Sequence, residues 1–461
     1  MLTYHFNHEL GIPMYEYLYQ CIKNDIIQQK LQANEKLPSK RVFAKHLQVS
    51  LITIENAYNQ LLIEGYIYSI EKKGYFVNSI EYPEIPTQTV PTILEKPQIQ
   101  YFIDLRTNSI SLSNFPFSVW SKLTRQVLNS QNSELLIRAH QQGCLELREA
   151  ICEHLHAFSG MNVSPSQIVI GAGTEYLYNI VIQLLGRDQH YALENPGHRS
   201  IAKVYQLNNV HYQYISLDHD GLNIDELKKS QAQIVHISPA HHYPTGISMP
   251  IQRRLEILKW ATQQHTYIIE DDYDSEFRLR GKPLSTLYQI DQNERVIYLN
   301  TFSKTLAPSF RMSYMVLPPQ LVQLYHNKFA FSACSVSSFE QIILAEFMKQ
   351  GYFEKHINRM RNSYKMIRDE LLTQLQQSVI HQDINITEEN AGLHFLLHYH
   401  SSLSDVAIIE KAHNIGLNIA TLSQFYEQPF ESQTLVVNYS GLSLNDIQLA
   451  VNLLIQLLSR Q

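Results

Sequence analysis

The chain has 461 residues, room for two or three domains with sizeable cores, and its 44% hydrophobic and 17% charged content excludes a collagen-like, low-complexity or largely disordered protein. No apolar stretch approaches the roughly 20 residues of a membrane helix; the run at 180–185 is already interrupted by Gln183. The net charge of −6 hides an asymmetry, because residues 1–78 hold eight Lys or Arg against seven Asp or Glu, and the remainder holds 29 against 36. A slightly basic head on an acidic body allows contact with nucleic acid at the head and disfavours it over the rest of the surface. The first ten residues lack a basic segment followed by an apolar run, so cytoplasmic residence is expected. Cys21, Cys144, Cys152 and Cys334 show no metal-ligand spacing and read as small buried hydrophobes, with neither disulfides nor a metal expected.

In chain order, Tyr15, Leu18, Tyr19, Ile22 and Ile26 form one apolar stripe and predict a helix over 13–30, with Pro13 in its first turn. Ser39 reads as the cap of a short second helix that buries Val42, Phe43, Ala44 and Leu47. Gln48 and Val49 make a turn. Ser50 caps a third helix whose apolar face is Ile54, Ala57, Tyr58, Leu61 and Leu62, opposite Thr53, Asn56, Asn59 and Gln60. Gly65 ends it, and 66–70 with 75–77 read as a hairpin with a charged tip at Glu71, Lys72 and Lys73. Helix, helix, turn, helix and ribbon make a winged helix-turn-helix, a shape that lays its third helix in a major groove and its wing along the backbone. Ser39, Lys40, Arg41, Ser50, Thr53, Lys72 and Lys73 are the candidate DNA contacts, because hydroxyls and cations are what phosphate oxygens bind.

These residues, from Leu37-Pro38-Ser39 and Arg41 through Val49-Ser50, Ala57-Tyr58 and Gly65-Tyr66 to Phe76-Val77, resemble the GntR-type DNA-binding domain. That domain usually has Arg directly after the Val-Ser pair; here the residue is Leu51, so one base or phosphate contact of the family is missing.

Residues 79–100, with Pro83, Pro86, Pro91 and Pro97, read as a semi-extended linker between a head at 1–78 and a body at 101–461. The body alternates short apolar runs, at 168–170, 191–193, 234–237, 267–269 and 296–299, with amphipathic helices. This predicts an α/β fold with a mostly parallel sheet covered on both faces and ligands at the carboxyl ends of the strands. Its large part is expected over about 125–315 and a smaller α+β part over about 316–461, closed by a core helix at 442–458.

Three polar clusters follow strands. Gly171, Ala172, Gly173 and Thr174 precede a helix at 175–185 and suit a phosphate cradle, although such a turn also serves tight packing. Glu270-Asp271-Asp272-Tyr273-Asp274 is followed in the next cluster by Thr301-Phe302-Ser303-Lys304, with Arg311 seven residues beyond the lysine. An acidic loop alone would also fit a metal or solvent. A lysine among hydroxyls at a strand end can form a Schiff base with an aldehyde once its amine is depressed. Pyridoxal 5′-phosphate then requires a carboxylate for its ring nitrogen, a donor for its phenolate oxygen and an anion site for its phosphate. Asp271, Tyr273 and the set Gly171 to Thr174, Thr301, Ser303 and Arg311 supply them.

The body motifs, including Pro239-Ala240-His241-His242-Tyr243-Pro244-Thr245-Gly246, resemble the fold-type I aminotransferases. The head and body together resemble the MocR-type transcriptional regulators. The resemblance implies Lys304 holding the cofactor, Asp271 at its ring nitrogen, Tyr273 and the Tyr243 turn near its phenolate oxygen, and Arg311, Ala172, Gly173, Thr174 and Thr301 at its phosphate. His198 falls where the family usually has a Tyr near the ring face, and Val436 where members that receive amino acids commonly carry an Arg for the carboxylate; Arg199 is the alternative cation. The implied protein is a homodimeric regulator that binds operator DNA and senses an amine, an amino acid or pyridoxal phosphate itself. An active aminotransferase with an accessory head is the alternative.

Overall fold

The computed structural model describes residues 2–4, 12–80, 101–107, 110, 114–130, 133–279, 284–390, 392–428 and 430–459, in two compact units, Met1–Pro97 and Gln98–Gln461. Most of the expected linker, 81–100, lies outside the described residues.

The first unit contains α1 (Met14–Ile27), α2 (Lys40–Leu47), α3 (Leu51–Ile63), β1 (Ile67–Ile70) and β2 (Gly74–Val77). Most of the expected stripes converge: Leu18 and Ile22 of α1, Phe43 of α2 and Ile54, Tyr58 and Leu61 of α3 are fully buried in one core, whereas Tyr15 and Val42, expected to be buried, are exposed because they face away from it. Pro13 sits just before α1, at its cap and outside its first turn, and α1 ends at Ile27 before the expected boundary at 30. Between α2 and α3 the chain reverses through Gln48 in the left-handed region at φ 55°. The buried Tyr58 ring donates its hydroxyl to the Pro38 carbonyl at 3.0 Å, which ties α3 to the start of α2. The wing is an antiparallel pair with Ile67 opposite Val77.

In the second unit, β3 (Ile103–Asp104) leads to α4 (Phe117–Asn129) and α5 (Leu145–Ser159). There follow β4 (Ile168–Gly171), α6 (Thr174–Leu185), β5 (His190–Asn195), α7 (Arg199–Leu207), β6 (His211–Asp218), β7 (Gly221–Leu222), α8 (Ile224–Lys229), β8 (Ile234–Ile237), α9 (Ile251–Gln263) and β9 (Tyr267–Asp271). Next come α10 (Leu287–Ile290), β10 (Val296–Thr301), β11 (Ser313–Val316), α11 (Pro319–Phe329), α12 (Ser338–Lys349) and α13 (Tyr352–Gln377). The chain closes through β12 (Ile384–Thr387), β13 (His394–Tyr399), α14 (Asp405–Asn414), β14 (Leu417–Asn418), β15 (Ala420–Thr421), β16 (Thr434–Asn438) and α15 (Ile447–Leu458). The last helix thus starts five residues later than the periodicity from 442 suggests, after a 3-10 turn at Leu444–Asp446.

Eight strands form the main sheet in the order β4-β11-β10-β9-β8-β5-β6-β7. From β10 to β6 all neighbours are parallel, and β8, β9 and β10 are buried, largely apolar runs because both faces are covered. Successive side chains divide between layers: Ile168 and Ile170 enter one core with α4, α5 and α12, and Val169 enters the opposite core with α6, α7 and α11. β11 runs antiparallel to both β10 and β4, so β4 and β10 point the same way and the start of β11 returns to their carboxyl ends. This places the segments after β4, β5, β8, β9 and β10, and the residues before β11, at one edge.

A four-stranded sheet, β12-β13-β16-β15, packs with α13, α14 and α15 around a separate core. That core takes in Ile103 and Leu105 and the later half of α13 from Met360, whereas α12 buries Ile343, Leu344 and Phe347 against the large part. Packing therefore divides the body within α13 and not near residue 316, because α12 has its apolar face toward α4 and α5.

Phe43→Ala removes a fully buried ring from the small head core and costs about 3–5 kcal/mol. Hydrogen exchange should show amide protection in α1–α3 falling more than a hundredfold, with the amides of β8–β10 unchanged.

Candidate functional site

In the head, the two serines stabilise helices. Ser39 Oγ accepts the Val42 N–H at 3.4 Å, and Ser50 Oγ accepts the Thr53 N–H at 3.1 Å and pairs with the Thr53 hydroxyl at 2.8 Å. Lys40 departs from the expectation of a phosphate-binding cation: its Nζ lies 3.6 Å from Glu55 Oε1 and 5.2 Å from the Tyr75 ring centre, so it joins α2 to α3 and the wing. Arg41, Lys72 and Lys73 are exposed. Lys72 occupies the left-handed region at φ 60°, which turns the wing tip outward. Leu51 begins α3 at 39% exposure and Ile52 follows at 67%, so the leading end of that helix is apolar where the family carries a cation.

In the body, nine of the expected residues, Thr174, His198, Tyr243, Asp271, Tyr273, Thr301, Ser303, Lys304 and Arg311, line one cavity at the strand ends. Each arrives by a separate route: Thr174 begins α6 after β4, His198 caps α7 after β5, Asp271 ends β9, and Thr301 ends β10 three residues before Lys304. Arg311 stands just before the reversed strand β11, in the left-handed region at φ 46°.

Gly173 lies beneath the Arg311 guanidinium: a Cβ on Gly173 would come 2.5 Å from Arg311 Nη2, and its φ of +96° disfavours a side chain. Arg311 Nη2 also donates to Glu175 Oε2 at 2.8 Å, a partner that the sequence reading missed. The Ala172 N–H is met by the Ser335 hydroxyl at 3.0 Å, another residue not foreseen. Thr301 Oγ1 donates to Ser303 Oγ at 3.0 Å and accepts from Ser313 Oγ at 2.8 Å, so Thr301 braces the turn while Ser303 carries the adjacent hydroxyl at the cavity.

Burial of the Lys304 amine, partly opposed by the Asp274 carboxylate, lowers its pKa from 10.5 to about 8. A depressed amine is a usable nucleophile near neutral pH. Tyr273 lines the cavity, but its hydroxyl donates to the His241 carbonyl at 2.5 Å; serving a phenolate requires exchange of that bond. The Tyr243 ring lies between His198 and His394, with centroids 5.8 and 5.1 Å away. Arg199 is exposed and donates to the Tyr426 carbonyl at 2.7 Å.

Asp271 is 6% exposed. Its Oδ2 accepts the Tyr178 hydroxyl at 2.5 Å, and its Oδ1 is buried without a hydrogen-bond partner among the described residues. A buried bare carboxylate oxygen beside a depressed lysine, with a glycine cradle under a guanidinium, fits a protonated heterocycle carrying a phosphate. The donor set therefore suits pyridoxal phosphate. Tyr178 had a legible signal: it stands four residues after Thr174 and shares its helix face.

The comparisons agree with this geometry. Residues 101–454 match the family described as aminotransferase class I and II, and residues 14–77 match the bacterial regulatory proteins of the gntR family. The chain is 36% identical over 451 residues to an uncharacterized HTH-type transcriptional regulator, YdeL, of Bacillus subtilis, covering 97% of each. It is 27% identical to the probable rhizopine catabolism regulatory protein MocR of Rhizobium meliloti, over 96% of this chain and 93% of that one. In fold the body is similar to a kynurenine aminotransferase of Pyrococcus horikoshii, with a TM-score of 0.68 and 23% identity, over 77% of this chain and 90% of that one. Fold, site and relatives define an HTH-type transcriptional regulator with an aminotransferase-like body. The chain belongs to the MocR-type family.

The Lys304 value has a direct readout. Modification of Lys304 by an amine-reactive reagent should accelerate about tenfold per pH unit up to pH 8 and level off above it, while exposed lysines continue to accelerate toward their ordinary value of about 10.4; peptide mass spectrometry follows both. Gly173→Ala should displace the Arg311 guanidinium and weaken binding of inorganic phosphate or a phosphorylated ligand about tenfold or more, as calorimetry would measure.

Proposed function

We propose that this regulator holds pyridoxal 5′-phosphate in its body, binds operator DNA through its head as a homodimer, and changes its DNA affinity in response to an amine or amino acid, or to the cofactor itself. The observation that carries the reading is the pairing, within one cavity, of the depressed Lys304 amine and the bare Asp271 Oδ1. When bound, the cofactor supplies an aldehyde for a primary amine and an electron-accepting ring. Lys304 would hold the aldehyde end and Asp271 the ring nitrogen. Arg311, Ser303, Thr174 and the backbone at Ala172 and Gly173 would hold the phosphate, with Thr301 behind them. His198 and Tyr243 would lie near the ring and Tyr273 near its oxygen. A ligand regulates only if it binds two arrangements unequally, and a primary amine competing with the Lys304 amine would supply that difference.

Val436 bears on the effector. Its neighbours Leu435 and Val437 point into the small core; Val436 is on the opposite face of β16, 0% exposed, paired with Leu396 and Ala420, and shares that face with Asn438, whose amide lies 3.5 Å from the Tyr243 hydroxyl. An apolar wall at that position supplies no clamp for a carboxylate. This favours an amine without an α-carboxylate, or the cofactor itself, over an amino acid.

Purified protein should carry a visible absorbance band from lysine-bound cofactor, which Lys304→Ala abolishes. A wild type that stays colourless in excess cofactor overturns the reading. Steady transamination at about 1 to 10³ per second would instead make the chain an aminotransferase. For DNA, a duplex selected from a random pool should be bound with strong salt dependence. If Lys73 neutralises one phosphate, Lys73→Ala should reduce the slope of log affinity against log salt by about 0.9 per head.

A further inference from the structure

Asp271 is served by a chain of hydrogen bonds that the cofactor reading does not use. The Tyr178 hydroxyl donates to Oδ2 at 2.5 Å, and Thr174 stands one helical turn before Tyr178. His236 Nε2 stands 3.9 Å from the same Oδ2, and His236 Nδ1 shares a 3.1 Å bond with the Tyr205 hydroxyl. Tyr178, Tyr205 and His236 are all buried, and the Tyr178 and His236 rings meet edge to face at 4.9 Å. The titratable groups around Asp271 are thus Tyr178 from α6, Tyr205 from α7, His236 from β8, His198 at the start of α7, and Tyr273 in the loop after β9. None of them is a Lys or Arg, and the cations of the same cavity are Lys304 and Arg311.

A buried carboxylate oxygen is costly unless a donor meets it, and the Tyr178 hydroxyl meets Oδ2 while Oδ1 is left to the cavity. Burial and the neighbouring carboxylate raise the phenol well above its ordinary value, so it remains a donor.

We propose that Tyr178 is a positioning residue that holds Asp271 Oδ2, leaving Oδ1 to the cavity, so that the proton shared with a bound heterocycle rests on the ring nitrogen. Tyr178 lies one turn along α6 from Thr174, so the helix that offers its first turn to the phosphate also sets the charge at the opposite end of the ring. The inference rests on the cofactor reading and goes beyond it by assigning the ring's protonation to a phenol outside the aldehyde and phosphate contacts.

The test uses the full chain reconstituted with cofactor labelled with ¹⁵N in the ring. In the wild type the nitrogen should resonate in the protonated range. In Tyr178→Phe it should move toward the unprotonated range set by Asp271→Asn, and the pH midpoint of the visible band should rise by about one to two units, since a less positive ring leaves the lysine-derived nitrogen more basic. Tyr205→Phe, which removes a buried phenol that reaches His236 but not Asp271, should leave both readings near wild type. An unchanged nitrogen signal and midpoint in Tyr178→Phe overturns the proposal while the cofactor reading stands. An equal displacement by Tyr205→Phe also overturns it, because loss of packing would then explain both. Failure of the wild type to take up cofactor overturns the two together.

Discussion

The end of β9 sets the constraint on the body. A carboxylate can remain charged in a sheet covered on both faces only if its oxygens are engaged, and Asp271 has one oxygen bonded to Tyr178 and the other bare. Five neighbouring parallel strands bring their ends to the same edge, so that bare oxygen opens on a cavity built from the loops gathered there. Lys304, Thr174 and Arg311 line that cavity from three of the loops. The sheet thereby turns residues up to 137 positions apart into one binding surface.

The aminotransferase-like fold does not by itself decide the chemistry, since one architecture serves unrelated tasks. Here the cavity holds a depressed lysine and a bare carboxylate oxygen. Val436 offers no anion clamp, and Glu175 already occupies one nitrogen of the Arg311 guanidinium. In the head, Leu51 leads α3 and Lys40 is paired with Glu55, while Arg41, Lys72 and Lys73 stay exposed.

Much of the fold was legible because the responsible residues are apolar and periodic. The head stripe built on Leu18, Ile22 and Tyr58 and the strands at β8 and β10 follow from patterning alone, since burial is local information. β6 was not legible, because His211–Asp218 is only partly buried and mixes Tyr with polar residues. β11 was not either: four residues carry no sign of direction, and its antiparallel course is decided by partners on both sides. Lys304, Asp271 and Arg311 were legible from spacing and residue type. Tyr178 was passed over although it stands one turn after Thr174, and Tyr273 read as a free donor, because hydrogen-bond partners distant in sequence leave no periodic trace.

The reversed course of β11 links the two ends of the cavity. Thr301 faces Ser313, and Ser313 faces Gly171, so lysine, guanidinium and glycine turn are all indexed to one ladder of backbone bonds. A slip of a single residue would turn every side chain of β11 to the other layer. The spacing between the lysine turn and the glycine turn is therefore a fixed ruler, cut into the backbone and independent of whichever side chains fill the rest of the cavity.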